Sequence, residues 1–263
     1  MATRAARSLR HEYGLYIEQE IENYKESIPR SAILAIGDEA AAKLASEPQF
    51  VLTELLLLEE VDKIIFKRLR LPRYETWRRK RMKLHDEMRR PEHWGLHADD
   101  AVVRTIAASN AQSSGHVLLA GESAERSALF LAANGCEVTA LEDEEDAVER
   151  VMNAAIQAGL AERVHAMTTD LSDFLPPSPL HAVVCSHSTL DALTQADRDR
   201  VIEVLQSATR DGGVHLVETI VAGSAAIEEL RARYAGWSIS IEEDRSNTQV
   251  FFARKEVENS VSH

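Results

Sequence analysis

The sequence predicts an α/β protein in which a mostly parallel sheet, covered by helices on both faces, follows an N-terminal all-helical region. Apolar residues recur at helical spacing in the first part of the chain, whereas apolar strands alternate with helices from Gly115 onward. The charge divides in the same way. Residues 1–110 hold 19 Lys and Arg against 18 Asp and Glu, and residues 111–263 hold 11 against 25. The two parts therefore differ in both periodicity and electrostatics.

The helical region is predicted from apolar residues three and four positions apart. The two clearest series are Tyr13, Ile17, Ile21 and Tyr24, and then Val51, Leu55, Leu58, Val61, Ile65 and Leu69. Breaks are expected at Pro29, Gly37-Asp38, Pro48 and Pro72. A further helix should run over 74–90, because the residue before Pro91 disfavours helical backbone. We place this region at 1–98 and expect it to select the substrate, form a lid with Trp94 or mediate a homodimer.

The second domain is expected over residues 99–263, with its first helix at 99–108 and a small, polar stretch at 107–115. Five strands are predicted at 117–120, 138–141, 164–168, 182–186 and 214–220. Helices are predicted at 125–133, 143–157, 196–209 and 224–234, with a turn at Asp211-Gly212-Gly213. The chain closes with two strands in succession, 237–242 and 249–254, joined by a turn at 244–247. This alternation indicates a parallel sheet to which the closing pair adds one antiparallel strand.

The composition indicates a globular protein of the reducing cytoplasm. Hydrophobic residues make up 44% and charged residues 28%, at a net charge of −13, which is not the composition of a disordered chain. The longest apolar run, 55–58, is too short to cross a bilayer, so no membrane is expected as a partner. Cys136 and Cys185 lack metal or redox spacing, and no metal site is expected. His85, His93, His97 and His215 are expected at the surface or at helix ends.

Candidate ligand-binding residues follow the first three predicted strands, because ligands of open parallel sheets bind beyond the carboxyl ends of the strands. The first loop, Gly121-Glu122-Ser123-Ala124-Glu125, begins with a glycine that permits a tight turn and leads into unpaired N–H groups at a helix start. After the second strand, the Glu142 and Asp143 carboxylates can accept both hydroxyl protons of a ribose. After the third, Asp170 and Leu171 suit the amino group and the ring face of an adenine.

Four segments carry a resemblance to a known family. They are VLLAGESAERSALFLAANGCEVTALE at 117–142, Thr169-Asp170-Leu171, HAVVCSHSTLDAL at 181–193 and DGGVHLVE at 211–218. Over about 100–255 the chain resembles the class I S-adenosylmethionine-dependent methyltransferases. The resemblance implies a Rossmann-like sheet of seven strands ending in an antiparallel pair, with S-adenosylmethionine as cofactor. By the family pattern Gly121 lines the methionine part, Glu142 holds the ribose and Asp170 meets the adenine. Ser186 and His187 then face the methyl-transfer site.

The first loop departs from the G-x-G-x-G pattern of that family. Ser123 and Glu125 occupy the second and third glycine positions, Leu119 stands where an acid is common, and His181 replaces an aspartate often found at the start of the fourth strand. The loop is similar to that of thiopurine S-methyltransferases, in which one glycine is followed four residues later by a glutamate and an acid again ends the second strand. We therefore count Glu122, Ser123 and Glu125 with Gly121 among the cofactor-binding residues.

Two other enzyme classes fit this loop less well. A hydrolase using Ser123 as its nucleophile needs a second glycine where Glu125 stands, and its strand lies in mid-sheet. A dinucleotide oxidoreductase brings a pyrophosphate to the loop, and the charge of Glu125 opposes that approach. The acidic loop is better suited to a cationic sulfonium, which favours S-adenosylmethionine.

Two further features bear on the substrate. His187 is the candidate general base; the structural alternative is that it lines the pocket rim or pairs with Asp191. In-line positioning of the reactants can also suffice without a base. Residues 67–90 are basic and contain aromatic side chains, which suits nucleic acid, although pairing with the chain's own acidic C-terminal part is favoured over it. We predict methyl transfer to O, N or S of a small molecule. The alternative is a catalytically silent module of the same fold that contacts nucleic acid or a protein through residues 67–90.

Overall fold

A computed structural model describes residues 8–45, 54–108, 115–121, 124–176, 179–222, 224–243 and 248–256. The chain divides into two compact units, Met1–Leu84 and His85–His263, upstream of the boundary expected between residues 98 and 99. Glu122, Ser123 and the turn predicted at 244–247 lie outside the described residues. Within the described ranges, no helix combines the length and the apolar character that a membrane crossing requires.

The first unit is built from helices, as predicted. They are α1 (Leu9–Ser27), α2 (Arg30–Ala45), α3 (Glu54–Leu69) and most of α4 (Tyr74–Met88). The break expected at Gly37-Asp38 is wrong, because α2 runs through both residues. Ile36 and Ala40, on either side, are buried, and their burial outweighs the cost of about 1 kcal/mol that a glycine imposes inside a helix.

Among the described residues of the first unit, the charged side chain of Glu60 is buried beside an apolar core. The buried members of this core are Ile21, Ile36, Ala40, Val61, Ile64 and Ile65. Glu60 is 5% exposed and pairs with Lys43 and, at 3.6 Å, with Lys63. Hydrogen bonding to the Lys43 ammonium lowers the pKa of the Glu60 carboxyl. The buried carboxylate thus has cationic partners within its own unit, as a buried charge requires.

The second unit holds the sheet. Its strands are β1 (His116–Ala120), β2 (Glu137–Glu142), β3 (Val164–Thr168), β4 (Leu180–Ser186), β5 (Thr209–Val221), β6 (Trp237–Glu243) and β7 (Thr248–Lys255). Its helices after α4 are α5 (Ala101–Ala108), α6 (Ala124–Ala133), α7 (Glu145–Ala158), α8 (His187–Asp191), α9 (Gln195–Ala208) and α10 (Ala226–Arg233). The strand order is β3-β2-β1-β4-β5-β7-β6, with β7 antiparallel to both neighbours. The predicted Rossmann-like seven-stranded α/β sheet with an N-terminal helical region is confirmed.

Helices cover both faces of the sheet, and its central strands are therefore buried on both sides. Along β1, Val117 and Leu119 join the core formed with α6 and α7, whereas Leu118 and Ala120 join the core formed with α9 and α10. The short 3-10 helix Pro91–Trp94 belongs to the first of these cores. Trp94 packs against it and its Nε1 donates a hydrogen bond to the Met88 carbonyl at 2.6 Å. This packing explains why the second unit begins upstream of the predicted boundary.

The predictions for the start of β5 need two corrections. The helix predicted at 196–209 ends at Ala208, and β5 already includes the Asp211-Gly212-Gly213 segment that was predicted as a turn. Gly212 has a φ of 73°, and the β4–β5 register shifts between Leu180 and Ala182. The glycines therefore form a bulge in the strand, which produces the same local sequence signal as a turn.

His215 lies in the core instead of at the surface, with 1% exposure. The Thr209 hydroxyl donates to the Leu205 carbonyl, so it accepts from His215 Nε2 at 2.7 Å; His215 Nδ1 accepts from the Tyr234 hydroxyl at 2.7 Å. Burial lowers the pKa of His215 to about 3, with a smaller contribution from the charge of Lys255. His215 is therefore neutral and fully hydrogen-bonded, which is a structural role.

Candidate functional site

The strand order reverses between β1 and β4. From β1 the chain proceeds outward through β2 to β3 and then crosses to β4 on the other side of β1. In open parallel sheets the connections diverge at such a point and leave a crevice beyond the carboxyl ends of the two strands, where ligands bind. β1 ends at Ala120 and β4 ends at Ser186. The expected crevice therefore lies beside Gly121 and Ser186.

The register places the carboxyl ends of four neighbouring strands at one level. The residues that pair with one another across these strands are Leu141 on β2, Ala120 on β1, Cys185 on β4 and Val217 on β5. The next residues on these strands form what we call the edge row: Glu142, Gly121, Ser186 and Glu218. Ser186 and Glu218 are themselves register partners. Because adjacent strands lie about 4.8 Å apart, Glu142 and Glu218 are roughly 14 Å apart along the row.

Gly121 is the position at which the loop after β1 meets the end of β4. Its φ is 114°, a conformation that side chains with a Cβ rarely adopt. A Cβ there would lie 2.6 Å from Ser186 Oγ and 2.7 Å from Thr189 Oγ1. Ser186 caps the short helix α8, which was not predicted, by accepting a hydrogen bond from the Thr189 backbone N at 3.3 Å. Backbone conformation and close packing therefore both require glycine at 121.

The acidic residues predicted in the loops after β1 and β2 lie close enough for their charges to interact. Glu142 is half-buried at the end of β2, and Glu125 is half-buried in the first turn of α6. Burial raises the pKa of Glu142, the charges of Asp143 and Glu125 raise it further, and Arg150 opposes them. Among the described residues, none forms an ion pair with Glu142, Asp143 or Glu125. The fold thus leaves a half-buried carboxylate without an ion-pair partner among the described residues, and a ligand that donates hydrogen bonds can supply partners for it.

The predicted residues after β3 and β4 occupy different surroundings. Asp170 is exposed, whereas Leu171 is 6% exposed and belongs to the core shared with α9. A cavity of about 260 Å³ beside Leu171 lies between this segment and α9 instead of along the edge row. His187 is half-buried at the first position of α8. Its expected partner Asp191 instead accepts from Arg198, at 3.1 Å.

Sequence reasoning gave no role to Glu218, which completes the edge row on β5. Val217 pairs with Phe251 and Ile220 with Gln249, so two residues of β5 stand opposite one of β7. This bulge places Thr219 at a φ of 61°, a left-handed conformation that is rare for a β-branched residue. The available signal was the position of Glu218 directly after the strand residues 214–217, which repeats that of Glu142 after 138–141.

The basic segment 67–90 uses its aromatic side chains within the first unit. Tyr74 and Trp77 pack against α1, with ring centroids 5.4 Å from that of Tyr13 in each case. Part of the basic charge is also paired there, Arg81 with Glu12 at 3.3 Å and Arg68 with Glu39. These contacts anchor the start of α4 to α1, and they occupy the rings that base stacking on a nucleic acid would need.

Comparison with known proteins finds likeness at the level of structure. No protein-family model and no curated protein sequence matches the chain. The glycopeptide N-methyltransferase MtfA complexed with S-adenosylmethionine aligns at 16% identity over 59% of this chain and 92% of that one, with a TM-score of 0.48. TehB from Haemophilus influenzae aligns at 17% over 61% and 63%, with a TM-score of 0.48. The CcbJ methyltransferase from Streptomyces caelestis aligns at 14% over 59% and 88%, with a TM-score of 0.49. Because these TM-scores are low, the fold is defined by the strand order of the sheet and not by the alignments.

Proposed function

We propose that the chain is an S-adenosylmethionine-dependent methyltransferase that acts on a nucleophilic O, N or S of a small molecule. The main support is the edge row at the strand reversal, where an obligatory glycine lies one strand away from a half-buried carboxylate of raised pKa. The resemblance in the sequence implies the same sheet, with its closing antiparallel pair, and puts the cofactor at the same loops.

The residues at the carboxyl edge fit a cationic cofactor. In this proposal Gly121, Glu122, Ser123 and Glu125 surround the methionine part, and Glu142 with Asp143 holds the ribose. Asp170 meets the adenine, and Leu171 supports that segment from the core. When bound, S-adenosylmethionine supplies a methyl group on a positively charged sulfur. The neighbouring carboxylates of Glu125, Glu142 and Asp143 favour that charge and disfavour a phosphate-bearing cofactor at the same place.

The residues after β4 serve the acceptor in this proposal. Ser186, fixed by its cap of α8, lines the place where acceptor and methyl group meet. His187 takes the proton that the acceptor loses, and it is not committed to Asp191, which Arg198 engages. Most of the acceleration is expected from in-line positioning of the two reactants.

Calorimetric titration with S-adenosylmethionine and with its demethylated product, S-adenosylhomocysteine, tests the proposal. Both should bind, and Glu142→Ala should weaken both by roughly ten- to a hundredfold, because hydrogen bonds to a charged group are lost. Glu137→Ala is the matched control, since Glu137 is an exposed acid at the opposite end of the same strand. If neither compound binds, the proposal is wrong.

The catalytically silent alternative predicts a different outcome from the same reagents. Binding of both compounds without conversion of one to the other, in the presence of amine, alcohol and thiol acceptors, would favour it. Contact with nucleic acid through residues 67–90 is tested by filter binding across a salt series. An absence of affinity for RNA or DNA at low salt would rule that contact out.

A further inference from the structure

Glu218 lies on the acceptor side of the edge row, and none of the roles above involves it. It is half-buried and pairs in register with Ser186 across β4 and β5. Its charge also affects Cys185, which precedes Ser186 on β4. Burial raises the pKa of the Cys185 thiol to about 12, and the charge of Glu218 contributes to this increase. The negative charge of Glu218 therefore acts on the end of the strand that borders the crevice.

The backbone around Glu218 has a local irregularity at this point. The β5–β7 bulge at Glu218 and Thr219 and the left-handed Thr219 break the regular ladder directly after Val217. Bulges of this kind are over-represented next to active sites, where they re-aim a side chain. The Thr219 hydroxyl donates to the Glu218 carbonyl at 2.7 Å, which stabilises the bulge. The backbone at Glu218 is thus paired with β4 on one side and bulged against β7 on the other.

The edge row carries a carboxylate at each end, Glu142 on β2 and Glu218 on β5, on either side of Gly121 and Ser186. In the proposed function the ribose lies at Glu142 and the methyl group meets the acceptor at Ser186, so the sulfur and its methyl group lie between the two carboxylates. We propose that Glu218 makes this cleft select for the charge on the cofactor's sulfur, favouring the sulfonium over the neutral thioether. This inference rests on the proposed function.

Methyl transfer changes the charge that Glu218 would recognise. The acceptor's lone pair forms a bond to the methyl carbon, the bond between that carbon and sulfur breaks, and its electron pair stays on sulfur. The sulfur therefore passes from a positive charge to neutrality, and the acceptor's proton leaves to His187 or to solvent. A carboxylate beside the sulfur attracts the cofactor before transfer and not after it, so Glu218 promotes exchange of product for new cofactor.

The test is calorimetric titration of the full chain and of Glu218→Gln with S-adenosylmethionine and with S-adenosylhomocysteine. The variant should bind S-adenosylmethionine about tenfold more weakly, because it loses the attraction between one unit charge and a sulfonium several ångströms away in a half-exposed site. Its affinity for S-adenosylhomocysteine should change less than about twofold, which also shows that the variant is folded. Glu218→Asp keeps the charge and should keep the preference, and Glu137→Gln should alter neither affinity.

Equal weakening of both compounds in Glu218→Gln, or no change in either, would overturn the inference while leaving the proposed function intact. If the parent chain binds neither compound, both are overturned. Salt provides a second readout, because the parent's preference for S-adenosylmethionine should shrink as ionic strength rises, whereas a preference based on shape would persist.

Discussion

The two ends of the same parallel strands carry polar side chains of opposite kinds. At the amino ends, His116 Nε2 hydrogen-bonds with Thr139 Oγ1 at 2.7 Å, and His181 Nδ1 accepts from the Arg210 guanidinium. Burial, followed by the charge of Arg210, lowers the pKa of His181 and keeps it neutral. At the carboxyl ends, Glu142 has a raised pKa and no ion pair among the described residues.

This difference separates polar groups that serve the fold from those available to a ligand. A buried polar group without a partner is costly, so a fold that leaves one in place is constrained by something else. At the amino ends, Lys255 Nζ also donates to the carbonyls of Gln206 and Thr209 at 3.1 and 2.7 Å, so these polar groups are paired within the protein. Glu142, at the carboxyl edge, has no ion pair among the described residues, and we expect mutations of this carboxylate to affect binding more than stability.

The largest effect is expected from Gly121→Ala. The added Cβ meets two hydroxyl oxygens and the backbone must keep a φ of 114°, so we expect loss of S-adenosylmethionine affinity by a hundredfold or more. The free energy of unfolding should fall by about 2–4 kcal/mol, from strain and overpacking together. Gly236→Ala is the matched control, because Gly236 has a φ of 84° and a Cβ added there would meet no atom within 4 Å. It should cost about 1 kcal/mol and leave binding unchanged. Full binding by Gly121→Ala would remove the crevice from consideration.

A second prediction concerns a structural polar group, His215. Its folded pKa is about 3 against an ordinary 6.5, so the unfolded chain binds a proton that the folded chain refuses. Stability should therefore fall as pH drops from 6.5 towards 3, by on the order of a few kcal/mol. His215→Phe should lose this part of the pH dependence and cost about 2–3 kcal/mol at neutral pH, because the Thr209 and Tyr234 hydroxyls lose a partner.

Chemical denaturation of both proteins between pH 7 and 4 measures the His215 effect as the difference between their curves. Parallel curves would show that His215 is not kept neutral by the fold. Cofactor affinity at pH 7 should be the same in both, since His215 has its partners inside the core.

Glu142 should show the opposite coupling between stability and binding. The pKa of Glu142 is higher in the folded chain than in the unfolded chain, so protonation favours the folded state. The contribution of Glu142 to the free energy of unfolding should therefore increase as pH falls through the raised pKa towards 4.5. Over the same range S-adenosylmethionine binding should weaken by up to about tenfold, because the ribose loses a charged acceptor. Glu142→Gln should remove both trends. Titrations and thermal melts at pH 7, 6 and 5 test this, and binding that strengthens on acidification would contradict it.

The sequence predicted those features of the site that are encoded within a few consecutive residues. Gly121 follows an apolar strand and precedes a helix, and Glu142 ends the next strand, so each was identified from its immediate neighbours. His215 was placed wrongly because its partners Thr209 and Tyr234 are 6 and 19 residues away along the chain. Glu218 follows its strand as Glu142 does, but the bulge that distinguishes it exists only through pairing with β7. The features that the sequence did not predict are thus those that depend on pairing between residues far apart along the chain.

The smallest effect is expected at Thr219, the left-handed residue after Glu218. Thr219→Gly relieves a conformation that costs a threonine about 1 kcal/mol, but it adds chain entropy, so the net gain in stability should stay below about 1 kcal/mol. Thr219→Val keeps the strain and loses the hydroxyl that donates to the Glu218 carbonyl, and should cost about 1 kcal/mol. Thermal melts measure both. If strand register aims Glu218, both variants should keep the parent's preference for S-adenosylmethionine over S-adenosylhomocysteine. A preference lost in Thr219→Gly alone would show instead that the threonine's restricted backbone holds the bulge.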